Sequence, residues 1–171
     1  MKALVVYESM FGNTEAIARA VADGLADAFE VTLADVATIP SAEGMDLLIA
    51  GAPTHAFGLS RPRTRLDAQR SGTVRPAAEV IGLREYLAVS PLLTGLPAAT
   101  FDTKLRTLWI PGSAARKAHR RLRRLGCRMV APPQTFLVTG TAGPLLPGER
   151  ERAARWATGV AALLLKQEHR V

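Results

Sequence analysis

Cysteine is almost absent from this chain. Cys127 is the only one among 171 residues, which excludes an internal disulfide and fits a reducing compartment. It reads as a small apolar residue at the start of a strand rather than a redox centre. No apolar run approaches the ~18–20 residues of a membrane-crossing helix. The N-terminus enters an apolar strand pattern directly, without the charged-then-apolar pattern of a secretory leader, so a cytoplasmic location is expected. The three histidines, His55, His119 and His169, are too scattered along the sequence to point to a metal site. There is no internal repeat and no linker. With 48% hydrophobic residues, a single domain spanning 1–171 with a full core is expected.

Acidic residues are missing where basic ones are densest. Between 101 and 128 stand Lys104, Arg106, Arg116, Lys117, Arg120, Arg121, Arg123, Arg124 and Arg128 against Asp102 alone, in a chain of net charge +7. The remainder is therefore near neutral. Three readings follow: a solvated arginine-rich helix face, a surface for an acidic partner or anionic membrane, or a nucleic-acid surface. The third is the weakest, because no aromatic residues interleave with these arginines and no nucleic-acid motif accompanies them.

Short apolar runs alternate with amphipathic segments. Strands are expected at 2–7, 29–34, 46–51 and 97–101. A fifth is expected from Cys127, broken at Pro132-Pro133 and resuming over 135–138. Helices are expected at 13–28, 77–88, 113–125 and 148–167. The first carries Ile17, Val21, Leu25 and Ala28 at helical spacing, and the last carries Ala153, Trp156, Val160, Leu163 and Leu164. Residues 59–76, with five arginines, two prolines and a Ser-Gly pair, read as a long exposed loop holding at most a short helix. Such alternation implies an α/β fold with a parallel sheet covered on both faces.

The first 25 residues are the most informative. The apolar run Ala3-Leu4-Val5-Val6-Tyr7 stops at Glu8-Ser9-Met10-Phe11-Gly12-Asn13-Thr14, and a helical pattern follows at once. The N–H groups that open a helix have no intrahelical partner, and the helix dipole favours negative charge there. Ser9, Asn13 and Thr14 add side-chain donors, and Gly12 lets the backbone approach a ligand closely. Ser9 and Thr14 also suit simple helix capping. The turn lacks the glycine-lysine pattern of nucleoside-triphosphate loops and the three-glycine pattern of dinucleotide turns. No Lys or Arg lies between Lys2 and Arg19, so an anion here would be held by neutral donors.

Tyr7-x-Ser9-x-x-Gly12-x-Thr14-x-x-x-Ala18-x-x-Val21 resembles the N-terminal signature of the flavodoxin family at every position. The resemblance implies a three-layer, doubly wound, five-stranded parallel sheet of order 2-1-3-4-5, and FMN as cofactor, with its phosphate on Ser9, Met10, Phe11, Gly12, Asn13 and Thr14. Phe11 stands where flavodoxins usually carry a hydroxyl, as an aromatic often does in FMN-dependent quinone reductases of this fold.

Ligands of such sheets sit beyond the carboxyl ends of the strands where strand order reverses. After the third strand comes Gly51-Ala52-Pro53-Thr54-His55-Ala56-Phe57-Gly58, a stiff loop of small residues and aromatics suited to one face of a flat ring. By the resemblance, Pro53, Thr54, His55, Phe57 and Gly58 line the flavin. His55 is either a ring neighbour and proton donor or a loop histidine bonded to backbone. After the fourth strand, Asp102 and Thr103 are candidates for bonds to the flavin's pyrimidine edge. Trp109 is a candidate stacker, though Leu108 and Ile110 beside it also suit a packed turn. Ser113 reads as a helix N-cap.

The function implied by the resemblance is electron transfer through non-covalent FMN. The alternatives are a small FMN-dependent oxidoreductase of quinone or protoporphyrinogen type, or a module of the same shape without FMN. The flavin carries the chemistry, so no catalytic side chain is expected beyond His55. The expected partners are a redox protein, or a small quinone or anionic substrate, with the basic face 104–128 available to an acidic partner. A phosphorylation receiver is the weakest reading: Glu8 lacks the acidic pair such a site needs, and the third strand ends at Gly51 without an Asp.

Overall fold

In a computed structural model, residues 1–55, 58–71, 81–106 and 111–168 are described. Phe57, Trp109, His169 and the predicted helical residues 77–80 lie outside them.

The strands are β1 (Lys2–Tyr7), β2 (Glu30–Asp35), β3 (Leu47–Pro53), β4 (Pro97–Leu105), β5 (Arg128–Met129) and β6 (Gln134–Val138). The helices are α1 (Asn13–Leu25), α2 (Pro62–Ser71), α3 (Leu83–Val89), α4 (Ala114–Arg124) and α5 (Glu149–Glu168). The sheet order is β2-β1-β3-β4-β5, with β6 also paired to β4 and every pairing parallel. This is the expected order. The fifth position is split as Pro132-Pro133 predicted: β5 pairs Pro97 and Ala98, while β6 pairs Phe101 to Leu105.

Two apolar cores flank the sheet. On one face α1 and α5 bury Ile17, Val21, Leu25, Ala153, Ala157, Val160 and Leu164 against Val5, Ile49 and Phe101. Each large aliphatic side chain buried this way contributes roughly 1.5–3 kcal/mol. Trp156 is half-buried and meets Phe101 and Phe136 edge to face, with centroids 6.2 and 6.1 Å away. On the other face α3 and α4 bury Leu83, Leu87, Ala118 and Leu122 against Leu4, Leu48 and Ala50, with Cys127 at the edge. Burial pushes the Cys127 thiol up to about 11, as expected of an apolar packing residue.

Residues 59–76, expected as a long exposed loop with room for a short helix, do hold one, the ten-residue α2. Its Pro62 stands at the first helical position, where a missing N–H costs nothing, so the proline starts the helix instead of breaking it. Strand β4 runs to Leu105 rather than stopping at Phe101. Leu163, expected on the apolar face of α5, is 46% exposed.

Because the strands are parallel, the ends of β1, β3, β4 and β6 open on one edge. The chain leaves β1 for β2 on one side and returns to β3 on the other, and a crevice forms there.

Candidate functional site

A cleft of about 530 Å³ occupies that crevice. The loop after β1 supplies Ser9, Met10, Phe11, Asn13 and Thr14, the end of β3 supplies Pro53, Thr54 and His55, and β4 supplies Thr103. One cavity is thus lined by residues of the three segments, after the first, third and fourth strands, that the strand order assigns to one site.

The first loop is built to present donors. Gly12 has φ of 91°, left-handed backbone that favours glycine, and so lies at the turn into α1 rather than on the cleft wall. Ser9 Oγ accepts from Gly12 N (3.1 Å) and Glu15 N (3.2 Å), fixing the loop while leaving its own O–H to donate. The N–H groups of Met10, Phe11, Asn13 and Thr14 have no acceptor among the described residues. Main-chain donors in this state at a helix start are a ready anion site. No Lys or Arg lines the cleft among the described residues, in keeping with the neutral donor set read from the sequence. Thr14 Oγ1 lies 2.8 Å from Thr103 Oγ1 and ties this loop to β4.

Asp102, expected at the ligand's edge, is not on the cleft. It is fully buried, and its Oδ2 accepts from Thr54 Oγ1 (2.9 Å), Ser113 Oγ (2.6 Å) and Ala115 N (3.0 Å). The reason is the extra length of β4. Side chains alternate along a strand, so Thr103 and Leu105 face the cleft while Asp102 turns to α4. Ser113 is the N-cap of α4, accepting from Arg116 N at 3.1 Å. Asp102 therefore locks the β3 loop to α4 from behind. Gly58 also stands behind the lining, exchanging backbone hydrogen bonds with His55 at 2.8 and 2.6 Å.

His55 does line the cleft. Burial first, and the Arg65 charge second, push its pKa down to about 4. At neutral pH it is an uncharged imidazole, which removes the imidazolium proton-donor role and leaves the ring-neighbour role.

Several cleft residues were missed. Thr64, Asp67 and Ala68 come from α2, Leu105 and Pro111 flank the third segment, Val138 ends β6 and Thr141 follows it. The i, i+3, i+4 spacing of Thr64, Asp67 and Ala68 was a usable signal once Pro62 is taken as a helix start. Ala68 packs with Met10 and Phe11 in a small apolar cluster. Behind this wall lies a charged node. Arg65, 1% exposed, donates through Nη1 to Ser60 Oγ (2.9 Å) and Glu85 Oε2 (3.1 Å). Glu8 Oε2 accepts from Leu83 N at 2.8 Å, and burial raises the Glu8 pKa. Glu8 and Arg65 thereby brace the first loop against α2 and α3.

Doubly wound parallel sheet, strand-end crevice and helix-start loop of free donors define an α/β protein with a candidate anion-binding cleft. Residues 5–72 match the family model described as flavodoxin. A flavodoxin from the domain Archaea shares the fold with a TM-score of 0.68 and 19% identity, covering 96% of this chain and 99% of that one. The flavodoxin of Streptococcus pneumonia TIGR4 gives 0.67 and 21%, covering 95% and 99%. Flavodoxin 1 from Bacillus cereus gives 0.63 and 20%, covering 97% and 98%. No curated protein matches the sequence. The sequence thus resembles flavodoxin over 5–72, and the fold is flavodoxin-like over nearly its whole length. The residues fit the FMN that the resemblance implies: unpartnered main-chain donors suit a phosphate, and they join a wall of Pro53, His55 and Leu105 suited to a flat ring.

Proposed function

We propose that the protein is an electron carrier that holds FMN non-covalently in this cleft. The observation that carries the reading is the set of unpartnered N–H groups at 10, 11, 13 and 14 opening directly onto a largely apolar cavity. FMN, when bound, supplies the electron chemistry. The chain's residues hold and orient it. Main-chain N–H groups of the first loop and the Ser9 hydroxyl take the phosphate. Pro53, Thr54, His55, Thr103 and Leu105 flank the ring, and Met10 and Phe11 with Ala68 keep water from its side. Neutral His55 adds a hydrogen-bonding edge without adding charge. The partner is a redox protein that meets the open mouth of the cleft, and the reducing setting implied by a lone buried thiol is cytoplasmic.

One observation favours a second reading. Helix α2 extends the cleft through Thr64, Asp67 and Ala68, and that extra wall suits a second flat molecule such as a quinone beside the flavin, as in a small FMN-dependent oxidoreductase. A potentiometric titration of the FMN-loaded protein separates the two. Two resolved one-electron steps, with no quinone turnover by NAD(P)H alone, support the carrier. Steady NAD(P)H-driven quinone reduction without any partner protein overturns it in favour of the enzyme.

A further inference from the structure

We propose that Arg61, Arg84 and Arg121, together with Lys117, form the docking surface for an acidic protein partner, set beside the cleft loop. The proposal rests on the electron-transfer reading and names the chemistry of the partner and the surface that receives it.

The geometry starts at the loop. Arg84 donates through Nε to Ser60 O and through Nη2 to Leu59 O, both at 3.0 Å. Arg121 Nη1 donates to Arg84 O at 3.1 Å. Neutral carbonyls therefore hold both side chains in place, and Glu85 and Glu8 offset the charge of Arg84 only in part. Arg61 and Arg121 stand near enough to Arg84 to disfavour its charge, after burial itself. The nearby acids are engaged elsewhere: Glu85 accepts from Arg65 and Gly82 N, and Glu8 accepts from Leu83 N. Lys117 continues the row to the cleft. Its stem lies over Gly58, where an added Cβ would come within 2.4 Å of Lys117 Cδ. The charges thus begin against Gly58, Leu59 and Ser60, beside the cleft residue His55, and spread along α4.

This arrangement costs the isolated chain free energy, because like charges are held side by side. Carboxylates on a partner remove that cost and steer its approach. Nothing on α4 dilutes the field: from 101 to 128 the single acid is Asp102, fully buried under Thr54 and Ser113. An anionic membrane fits less well. Membrane-surface helices need an apolar stripe to insert, and Ala114, Ala115, Ala118 and Leu122 of α4 are all spent on the core.

The test uses fluorescence anisotropy with the FMN-loaded chain and, separately, the FMN-free chain. The probes are a labelled plant-type [2Fe–2S] ferredoxin, which is acidic, and labelled cytochrome c, which is basic. The expected result is ferredoxin binding about tenfold or more tighter than cytochrome c at low ionic strength, weakening about tenfold by 0.3 M salt. The double variant Arg61→Gln/Arg121→Gln loses about fivefold or more of that binding. Arg155→Gln, an exposed arginine on α5 across the sheet, leaves it within about twofold. Arg84 stays unsubstituted because it supports the loop, and circular dichroism confirms that each variant is folded. Equal binding of the two probes, or equal losses in the two variants, overturns the proposal. So does sedimentation with phosphatidylserine vesicles in the absence of any ferredoxin preference. Anisotropy does not depend on FMN, so a chain that binds ferredoxin but never FMN refutes the carrier reading alone. A chain that binds FMN but not ferredoxin refutes the docking surface alone.

Discussion

The hydroxyls of Thr14 and Thr103 lie 2.8 Å apart, joining the first turn of α1 to the end of β4 across the floor of the cleft. Both residues are buried, at 2% and 4% exposure, so the bond is shielded from water. It sets the distance between the loop that would hold a phosphate and the strand that would flank a ring. Thr103→Val removes one partner with little change in shape. It is expected to cost about 1 kcal/mol in urea unfolding of the FMN-free protein and to weaken FMN binding in a fluorescence titration. Unchanged affinity would show that the two ends of the cleft are positioned independently.

Asp102 accepts three hydrogen bonds through one oxygen, from Thr54, Ser113 and Ala115. Asp102→Ala leaves those donors without their acceptor in a closed setting. The expected loss is about 3 kcal/mol, on the scale of buried hydrogen bonds to a charged group. Thermal unfolding measures it. A loss no larger than that of a typical surface substitution would mean that the β3 loop and α4 are held together by packing alone.

Folding holds the His55 pKa down, at about 4 against an ordinary 6.5. Between those values the unfolded chain binds the proton that the folded chain refuses. Stability from this group is therefore full above pH 6.5 and is lost as pH falls toward 4, by up to about 3 kcal/mol. Glu8 acts in the opposite sense: its raised pKa makes the folded chain take up a proton first as pH falls. Comparison with His55→Gln isolates the histidine. The variant is expected to lose less stability than the parent between pH 6.5 and 4 in denaturant titrations. Parallel curves would show that His55 protonates freely in the fold.

Gly12 carries φ of 91° at the turn into α1, and the space beside it is open. The cost of a side chain there is conformational rather than steric. Gly12→Ala is expected to destabilise by about 1 kcal/mol and to weaken FMN binding more than riboflavin binding, since it disturbs the anion loop. Equal effects on the two ligands would place the phosphate elsewhere.

Much of this was legible in the sequence, for reasons that particular residues make plain. The β1 run ending at Ser9 to Thr14 states strand, turn and helix in order, and each signal is local. Pro132-Pro133 announces the split of the fifth strand because proline cannot donate to a ladder. The failures involve context. Asp102 sits where a polar residue after an apolar strand suggests a loop, yet pairing with β3 and β6 carries β4 on to Leu105 and turns Asp102 inward. Arg65 reads as one of several exposed arginines until Ser60, just before α2, and Glu85, on α3, close over it. The cleft residues of α2 were hidden by Pro62, a turn-forming signal that here marks the start of a helix rather than a loop.

The central claim is that this cleft holds FMN by its phosphate on the first loop. A titration of the FMN-free protein with FMN and then with riboflavin, read by flavin fluorescence and visible absorbance, tests it most directly. The account predicts saturable quenching with FMN and binding of riboflavin weaker by about tenfold or more, because riboflavin offers nothing to the N–H groups at 10, 11, 13 and 14. A protein that stays colourless with FMN, or binds both flavins alike, would contradict it.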